Sequence, residues 1–189
     1  MPREGSNRQR VLDAAIDLLG REGVRALTHL RIDQHAGLPK GTASNYFRTR
    51  AALLKGVVDT MVASELPEVT HAFMPATVDD LVDEMVALFD FMTGPNRILT
   101  SARLAMIVES SHDEELRSTL ATGREVMERT VVPAFAALGA PDPQLATDAL
   151  ATCFEGLFLH RLARHAQIDP RRVIDLVVHA GLKAARAAR

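Results

Sequence analysis

The sequence predicts an all-α fold of about nine helices. Three observations carry that expectation. Helix start and stop signals recur along the whole chain, with Ser, Thr or Asp ahead of apolar runs of helical period and Gly or Pro behind them. No stretch alternates apolar and polar residues between turn signals, as a half-buried strand would. Apolar residues make up 47% of the chain but aromatics only 4%, with no Trp, which is the Ala- and Leu-rich make-up of helical proteins.

The helices follow in order. Ser6-Asn7-Arg8-Gln9 matches a capping box, with Ser at the cap and Gln three residues on. The helix behind it carries Leu12, Ala15, Ile16 and Leu19 on one face and ends near Gly23. Thr28 caps a second helix, which Gly37 stops. A third, short helix spans Pro39 to Phe47, with proline in the first turn, where its missing N–H costs nothing. Thr49 caps a fourth that runs to about Leu66, ahead of Pro67, and residues 68–76 read as a loop. Thr77-Val78-Asp79-Asp80 opens a fifth, which carries Leu81, Met85, Leu88, Phe89 and Met92 and stops at Gly94-Pro95. A sixth covers about 96–109. Ser111-His112-Asp113-Glu114 is a further capping box and starts a seventh, which runs to Leu138 before Gly139. Asp142-Pro143 and Asp169-Pro170 are two copies of one start signal, an Asp cap with Pro behind it, and they open the eighth and ninth helices.

Thr28 to Leu53 is the most informative stretch. Ile32 and Ala36 share one helical face, Gly37 permits a sharp turn, and Ala43 and Phe47 can pack the short helix back onto the one before it. Lys40, Thr42, Ser44, Asn45 and Tyr46 are then left pointing outward. A short helix held by two residues and presenting hydroxyls, an amide, a phenol and a lysine suits a helix-turn-helix on duplex DNA. The register strengthens this. Thr28, Ile32, Ala36-Gly37-Leu38, Lys40-Gly41-Thr42, Tyr46-Phe47, Arg50 and Leu53 resemble the DNA-binding domain of the TetR family of transcriptional regulators. The resemblance covers roughly residues 6–55. The chain departs from the family pattern at Pro39, where a Ser or Thr often caps the recognition helix, at Ser44, often a tyrosine, and at Asn45, often a histidine or tyrosine.

The resemblance implies an N-terminal three-helix DNA-binding domain, residues 1–48, and a C-terminal helical domain for ligand binding and dimerisation, residues 49–189. Charge agrees with that division. The net charge of −2 argues against nucleic acid, but residues 1–55 hold ten basic and five acidic side chains, and the rest hold twelve against nineteen. Thr28, Thr42 and Tyr46 can donate hydroxyls to phosphates, and Lys40, Arg50 and Lys55 can pair with the backbone charge. Thr28 and Thr49 each cap a helix N-terminus suited to a phosphate. Gly41 lets the helix backbone approach the bases, and Thr42, Ser44 and Asn45 are the candidates for base readout. Arg3, Arg8 and Arg10 can reach a groove or a flanking phosphate.

In the acidic half, Met85, Phe89, Met92, Leu104, Met106, Met127, Phe135 and Phe154 suit either an ordinary apolar core or a Met- and Phe-lined cavity for an apolar or aromatic small molecule. The resemblance implies the second, an effector held among these helices. Arg103, Glu109, His112 and Arg124 are the polar side chains that could orient it. The stripes Leu150, Phe154, Leu157, Phe158 and Val173, Ile174, Val177, Val178 can pair with their copies in a homodimer as a four-helix bundle, or be buried against their own subunit, with the eighth helix expected to do both.

Other chemistry finds little support. There is no Gly-rich phosphate loop and no His-Glu-x-x-His, and neither enzymatic activity nor a cofactor is expected. Glu109, His112 and Asp113 could imitate a metal site, but they straddle a helix junction that capping explains better. Cys153, the only cysteine, reads as a small buried hydrophobe and excludes an internal disulfide, so a reducing cytoplasm is expected. No apolar run approaches 18 residues and no signal peptide precedes the first helix, so no membrane association is expected. The reading is a one-component regulator, a repressor, that binds a palindromic DNA operator as a homodimer and is released by an apolar effector. The alternative is a small helical carrier or enzyme with an incidental helix-turn-helix.

Overall fold

A computed structural model of the chain describes residues 4–70 and 75–183. These form nine α-helices and no strand: α1 (Glu4–Glu22), α2 (His29–Ala36), α3 (Thr42–Tyr46), α4 (Arg50–Thr70), α5 (Val78–Thr93), α6 (Arg97–Glu109), α7 (Glu114–Ala137), α8 (Pro143–Phe158) and α9 (Pro170–Lys183). No described helix is long and apolar enough to cross a membrane.

Most of the caps read from the sequence close as expected. The Thr28 side chain accepts from Arg31 N–H at 3.3 Å and Thr49 from Ala52 N–H at 3.1 Å. Thr77 and Asp80 form a reciprocal capping box. Asp142 accepts from Leu145 N–H at 3.1 Å. Gly37, at φ 62°, ends α2 in the left-handed region, where a side chain would be strained.

Four boundaries are corrected. α1 already begins at Glu4, so Ser6 lies inside it and is not its cap. α3 starts at Thr42, because Gly41 has φ 94° and breaks the helical path that Pro39 was expected to open. α4 continues across Pro67 to Thr70; of the expected loop, residues 71–74 lie outside the described residues. The cap of α7 is Asp113, which accepts from Leu116 N–H at 2.9 Å, while the Ser111 hydroxyl donates back to the Val108 carbonyl.

The Cα packing divides into two units. The first comprises residues 1–65 and 97–123. Its core joins Val11, Leu12, Ala15, Leu18 and Leu19 of α1 to Ile32, Ala43, Phe47, Leu53 and Val57, and also to Ala102 and Met106 of α6 and Leu116 of α7. α6 lies so close to α1 that a methyl group on Gly20 would collide with the Ile98 carbonyl oxygen. Gly56 likewise lets α4 approach the Phe47 ring, which a Cβ there would meet at 2.6 Å.

The second unit comprises residues 66–96 and 124–189. Leu81, Met85, Phe89 and Met92 of α5, Phe135 of α7, Leu150, Phe154, Leu157 and Phe158 of α8, and Ile174 and Val178 of α9 are buried in it. Leu88, Val173 and Val177 of the expected stripes are half-buried. The α8 and α9 stripes expected to pair with a second copy are instead largely taken up within the protomer, because Phe154 and Phe158 pack on Phe89 of α5, and Leu150, Leu157, Ile174 and Val178 are buried beside them. α8 leaves regular geometry in a π-helical turn, Leu159–Ala163.

Candidate nucleic-acid interface and ligand core

α1 and α2 make a rigid frame for α3. Arg10 donates to the Ala36 carbonyl at 2.6 Å at the end of α2. The Asp17 carboxylate holds Arg21 at 2.8 Å and His35 at 2.9 Å, and Arg31 pairs with Glu22 at 2.6 Å. Ile32 is buried beneath. Arg8 lies over the Phe47 ring at 5.2 Å from its centroid. Arg8 and Arg10, expected to face DNA, are therefore engaged within the unit, and Arg3 lies outside the described residues.

α3 is only five residues long, and it is anchored as its pattern requires: Ala43 and Phe47 are buried. The polar tie is one that sequence reasoning missed. The Asp33 side chain, on α2, is 2% exposed and accepts from two backbone amides, Gly41 N–H at 2.7 Å and Ala43 N–H at 2.7 Å. The absence of a hydroxyl at Pro39 was the available signal: a turn reading Gly-Leu-Pro-Lys-Gly has no side chain of its own to take these donors.

The expected DNA-contacting residues differ in what they offer. Lys40 and Asn45 are exposed, and Lys40 has no ion pair among the described residues. The Thr42 hydroxyl donates to the Pro39 carbonyl at 2.6 Å and the Ser44 hydroxyl to the Gly41 carbonyl at 2.9 Å, so both keep only acceptor capacity for a base or donor. Tyr46 is half-buried. Gly41 owes its place to its positive φ. Thr28 is exposed at the start of α2. Arg50 is exposed but engaged within the unit, donating to the Leu27 carbonyl at 3.3 Å and to Glu109 at 3.3 Å, and Lys55 pairs with Asp59 at 3.1 Å. Arg48, which the sequence reading passed over, is exposed and has no ion pair among the described residues. Lys40 and Arg48 are thus the uncommitted cations flanking α3.

The candidate ligand residues fall into both units. Met85, Phe89, Met92, Phe135 and Phe154 are buried in the second unit, with Met127 half-buried there. Arg103 and Leu104 are half-buried on α6, which packs with the first unit. In the second unit, Phe89 stacks on Phe158 at 5.6 Å, and Phe154 meets both rings edge-on at 6.3 and 5.6 Å. The Arg161 guanidinium lies 5.2 Å from the Phe89 centroid. Among the proposed orienting groups, Arg124 is bound by Glu128 and Asp148, each at 2.8 Å, which raises its pKa. Glu109 holds Arg50, and His112 is exposed. Cys153 is half-buried, and burial pushes its thiol pKa up.

Two family descriptions match the chain. Residues 11–57 match the bacterial regulatory proteins of the tetR family, and residues 76–184 match the tetracyclin repressor-like C-terminal domain. Among relatives in sequence, the HTH-type transcriptional regulator BetI of Serratia proteamaculans is 25% identical over 184 residues, covering 93% of this chain and 92% of that one. BetI of Rhizobium meliloti is 24% identical over 192 residues, covering 97% and 95%. Among solved structures, a transcriptional regulator from Rhodococcus sp. Rha1 is similar with a TM-score of 0.78 at 18% identity, covering 93% of this chain and 96% of that one. The multidrug binding protein EbrR, complexed with ethidium, is similar with a TM-score of 0.74 at 20% identity, covering 94% and 99%. At such identities the likeness to the solved structures is one of fold.

Proposed function

Because the chain belongs to the TetR family of bacterial regulatory proteins, we propose that it is a one-component repressor. It binds a palindromic operator as a homodimer and leaves it when a small apolar or aromatic effector binds. Residues 1–48 carry DNA contact, and residues 49–189 carry effector binding and dimerisation. The observation that carries the reading is the division of α3 and its flanks: Ala43 and Phe47 are buried while Lys40 and Asn45 stand exposed, with Arg48, which has no ion pair among the described residues, beside them. That arrangement supports a helix whose outer face meets phosphate and base edges.

The homodimer is supported by a second stripe along α8 and the first residue of the π-helical turn that follows it. Leu145, Ala149, Thr152, Gly156 and Leu159 recur at helical spacing opposite the buried face; Leu145 is 48% and Leu159 43% exposed, and a Cβ on Gly156 would meet nothing within 4 Å. On α9, Leu176 is 68% exposed. A face with small residues between leucines suits the close approach of a second copy. The effector reading is supported by the Phe89, Phe154 and Phe158 cluster and by the binding of ethidium by EbrR, a protein of the same fold. α4 contributes residues to both units and is the lever in this reading.

The test is selection of duplexes from a randomised pool by the full chain, followed by titration of the selected duplex across salt. A repressor binds it sequence-selectively with a salt-dependent affinity, whereas a carrier or enzyme selects nothing. With candidate effectors, operator DNA must weaken effector binding by the same factor by which effector weakens DNA binding. Equal effector affinity with and without operator would remove the induction reading.

A further inference from the structure

We propose that Asp33 is a positioning residue for sequence readout: its carboxylate, bridging the Gly41 and Ala43 amides, fixes the orientation in which α3 presents Lys40 and Asn45. The inference rests on the DNA-binding reading above and extends it to a residue that has no contact with DNA in its own role.

α3 is a single short turn of helix, and its cap residue Gly41 supplies no side-chain hydrogen bond. Ala43 and Phe47 are its buried anchors, and Tyr46 packs half-buried against the same core. The apolar contact near the start of the helix is the single methyl group of Ala43, so the start is held less firmly than the end. The hydroxyls that could have restrained the start of the helix are back-bonded locally, Thr42 to Pro39 and Ser44 to Gly41. Asp33 supplies the missing restraint from another helix. Both its oxygens are used, each at 2.7 Å, and the carboxylate is almost wholly enclosed. A charge-assisted pair of this kind is both stronger and more directional than a neutral bond. Ala43 is fully buried, so its N–H has no access to water as a replacement acceptor.

The restraint is only as good as the frame behind it, and that frame is tied down. Ile32, next to Asp33, is buried in the core, Arg10 clamps the Ala36 carbonyl, Thr28 caps the other end of α2, and His35 meets Asp17 on α1. The position of α3 is therefore referenced through Asp33 to α2 and so to α1. The bridge spans the turn that carries Lys40, and Asn45 lies one helical turn further on. A carboxylate in this place also occupies the Gly41 and Ala43 amides, and the Thr42 N–H is bonded to the Pro39 carbonyl, so these three amides are not open to a phosphate, and phosphate contact falls to Lys40, Arg48 and the ends of α2 and α4.

The experiment compares wild type, Asp33→Asn and Asp33→Ala. The probes are the duplex that wild type selects from a randomised pool and a scrambled duplex of the same composition, each titrated at several salt concentrations. Asparagine keeps the shape and one acceptor but sets an amide donor against a backbone N–H. In both variants, affinity for the selected duplex should fall roughly tenfold or more. Affinity for the scrambled duplex should hold or tighten slightly, because a negative charge near the interface is gone, and the salt slope should stay unchanged. Loss of the ratio between the two duplexes, with helicity retained by circular dichroism, is the mark of positioning; a merely stabilising role lowers the melting temperature and leaves the ratio intact. A folded Asp33→Asn protein with the wild-type ratio overturns the proposal alone. A wild type that selects no sequence overturns it together with the DNA-binding reading. Should neither variant fold, amide exchange in the wild type decides: slow exchange at Gly41 and Ala43 is expected, and exchange as fast as at exposed turn residues overturns the proposal.

Discussion

If α8 and α9 form the proposed homodimer interface, replacing Leu176 with glutamate should weaken the dimer towards monomers. Leu176 sits on the outer face of α9 and is 68% exposed in the protomer. Burying a whole leucine side chain contributes about 1.5–3 kcal/mol. The exposed share is then about 1–2 kcal/mol, and a twofold interface contains it twice, for about 2–4 kcal/mol. That is roughly a 30- to 1,000-fold rise in the dimer dissociation constant. Two carboxylates brought towards one another across the axis act in the same direction. The assay is sedimentation equilibrium over a concentration series, with circular dichroism to establish that the fold is kept. Val108→Glu is the control: Val108 is 72% exposed on α6 and has no part in the expected interface. A Leu176→Glu protein that dimerises as tightly as wild type, or a Val108→Glu protein that loses as much, would refute the assignment of α8 and α9 to the interface.

Further outcomes follow from the same structure. Lys40→Ala should weaken binding to every duplex and lower the salt slope by about 1, whereas Asn45→Ala should change preference at one base pair by about 1–3 kcal/mol; selection experiments that return the wild-type preference for Asn45→Ala would assign Asn45 to the backbone. Gly20→Ala carries a sign test: at an open helical position alanine would stabilise by about 0.5–1 kcal/mol, but the collision with the Ile98 carbonyl should instead cost about 1–3 kcal/mol in urea denaturation. Burial, with Asp80 adding to it, raises the Glu84 carboxyl above its ordinary value of 4.5. The folded chain thus holds that proton more tightly than the unfolded one, and the associated stability is lost as pH rises through the raised value. Glu84→Gln should therefore raise the melting temperature in neutral buffer, with the gain shrinking below the ordinary carboxylate range; a gain independent of pH would contradict this.

By itself the sequence determined the helices, most of their ends, and the helix-turn-helix. Thr28, Thr77 and Asp142 cap because a side-chain oxygen reaches an amide three residues on, and Gly37 ends α2 because its own φ is positive. Each is settled within one turn of chain, so it can be read from local spacing. Ala43 and Phe47 were legible for the same reason, since helical period alone puts them on one face. Where local signals misled, a second local group competed: Asp113 took the cap expected of Ser111, and the positive φ of Gly41 displaced the helix start expected at Pro39.

Tertiary structure decided what depends on residues far apart in the chain. Asp33 finds its two amides eight and ten residues on, across a turn, and Arg50, an expected phosphate contact, finds Glu109 fifty-nine residues away. α6, whose Leu104 and Met106 read in the sequence as lining for a ligand, packs on α1 because Gly20 leaves room for its backbone and Ala102 and Met106 fill the same core as Leu12 and Leu19. A methionine or a glycine reads alike in any apolar helix. Which neighbour it serves is fixed only by the shape of the surface it meets, and that shape exists only once the helices have packed.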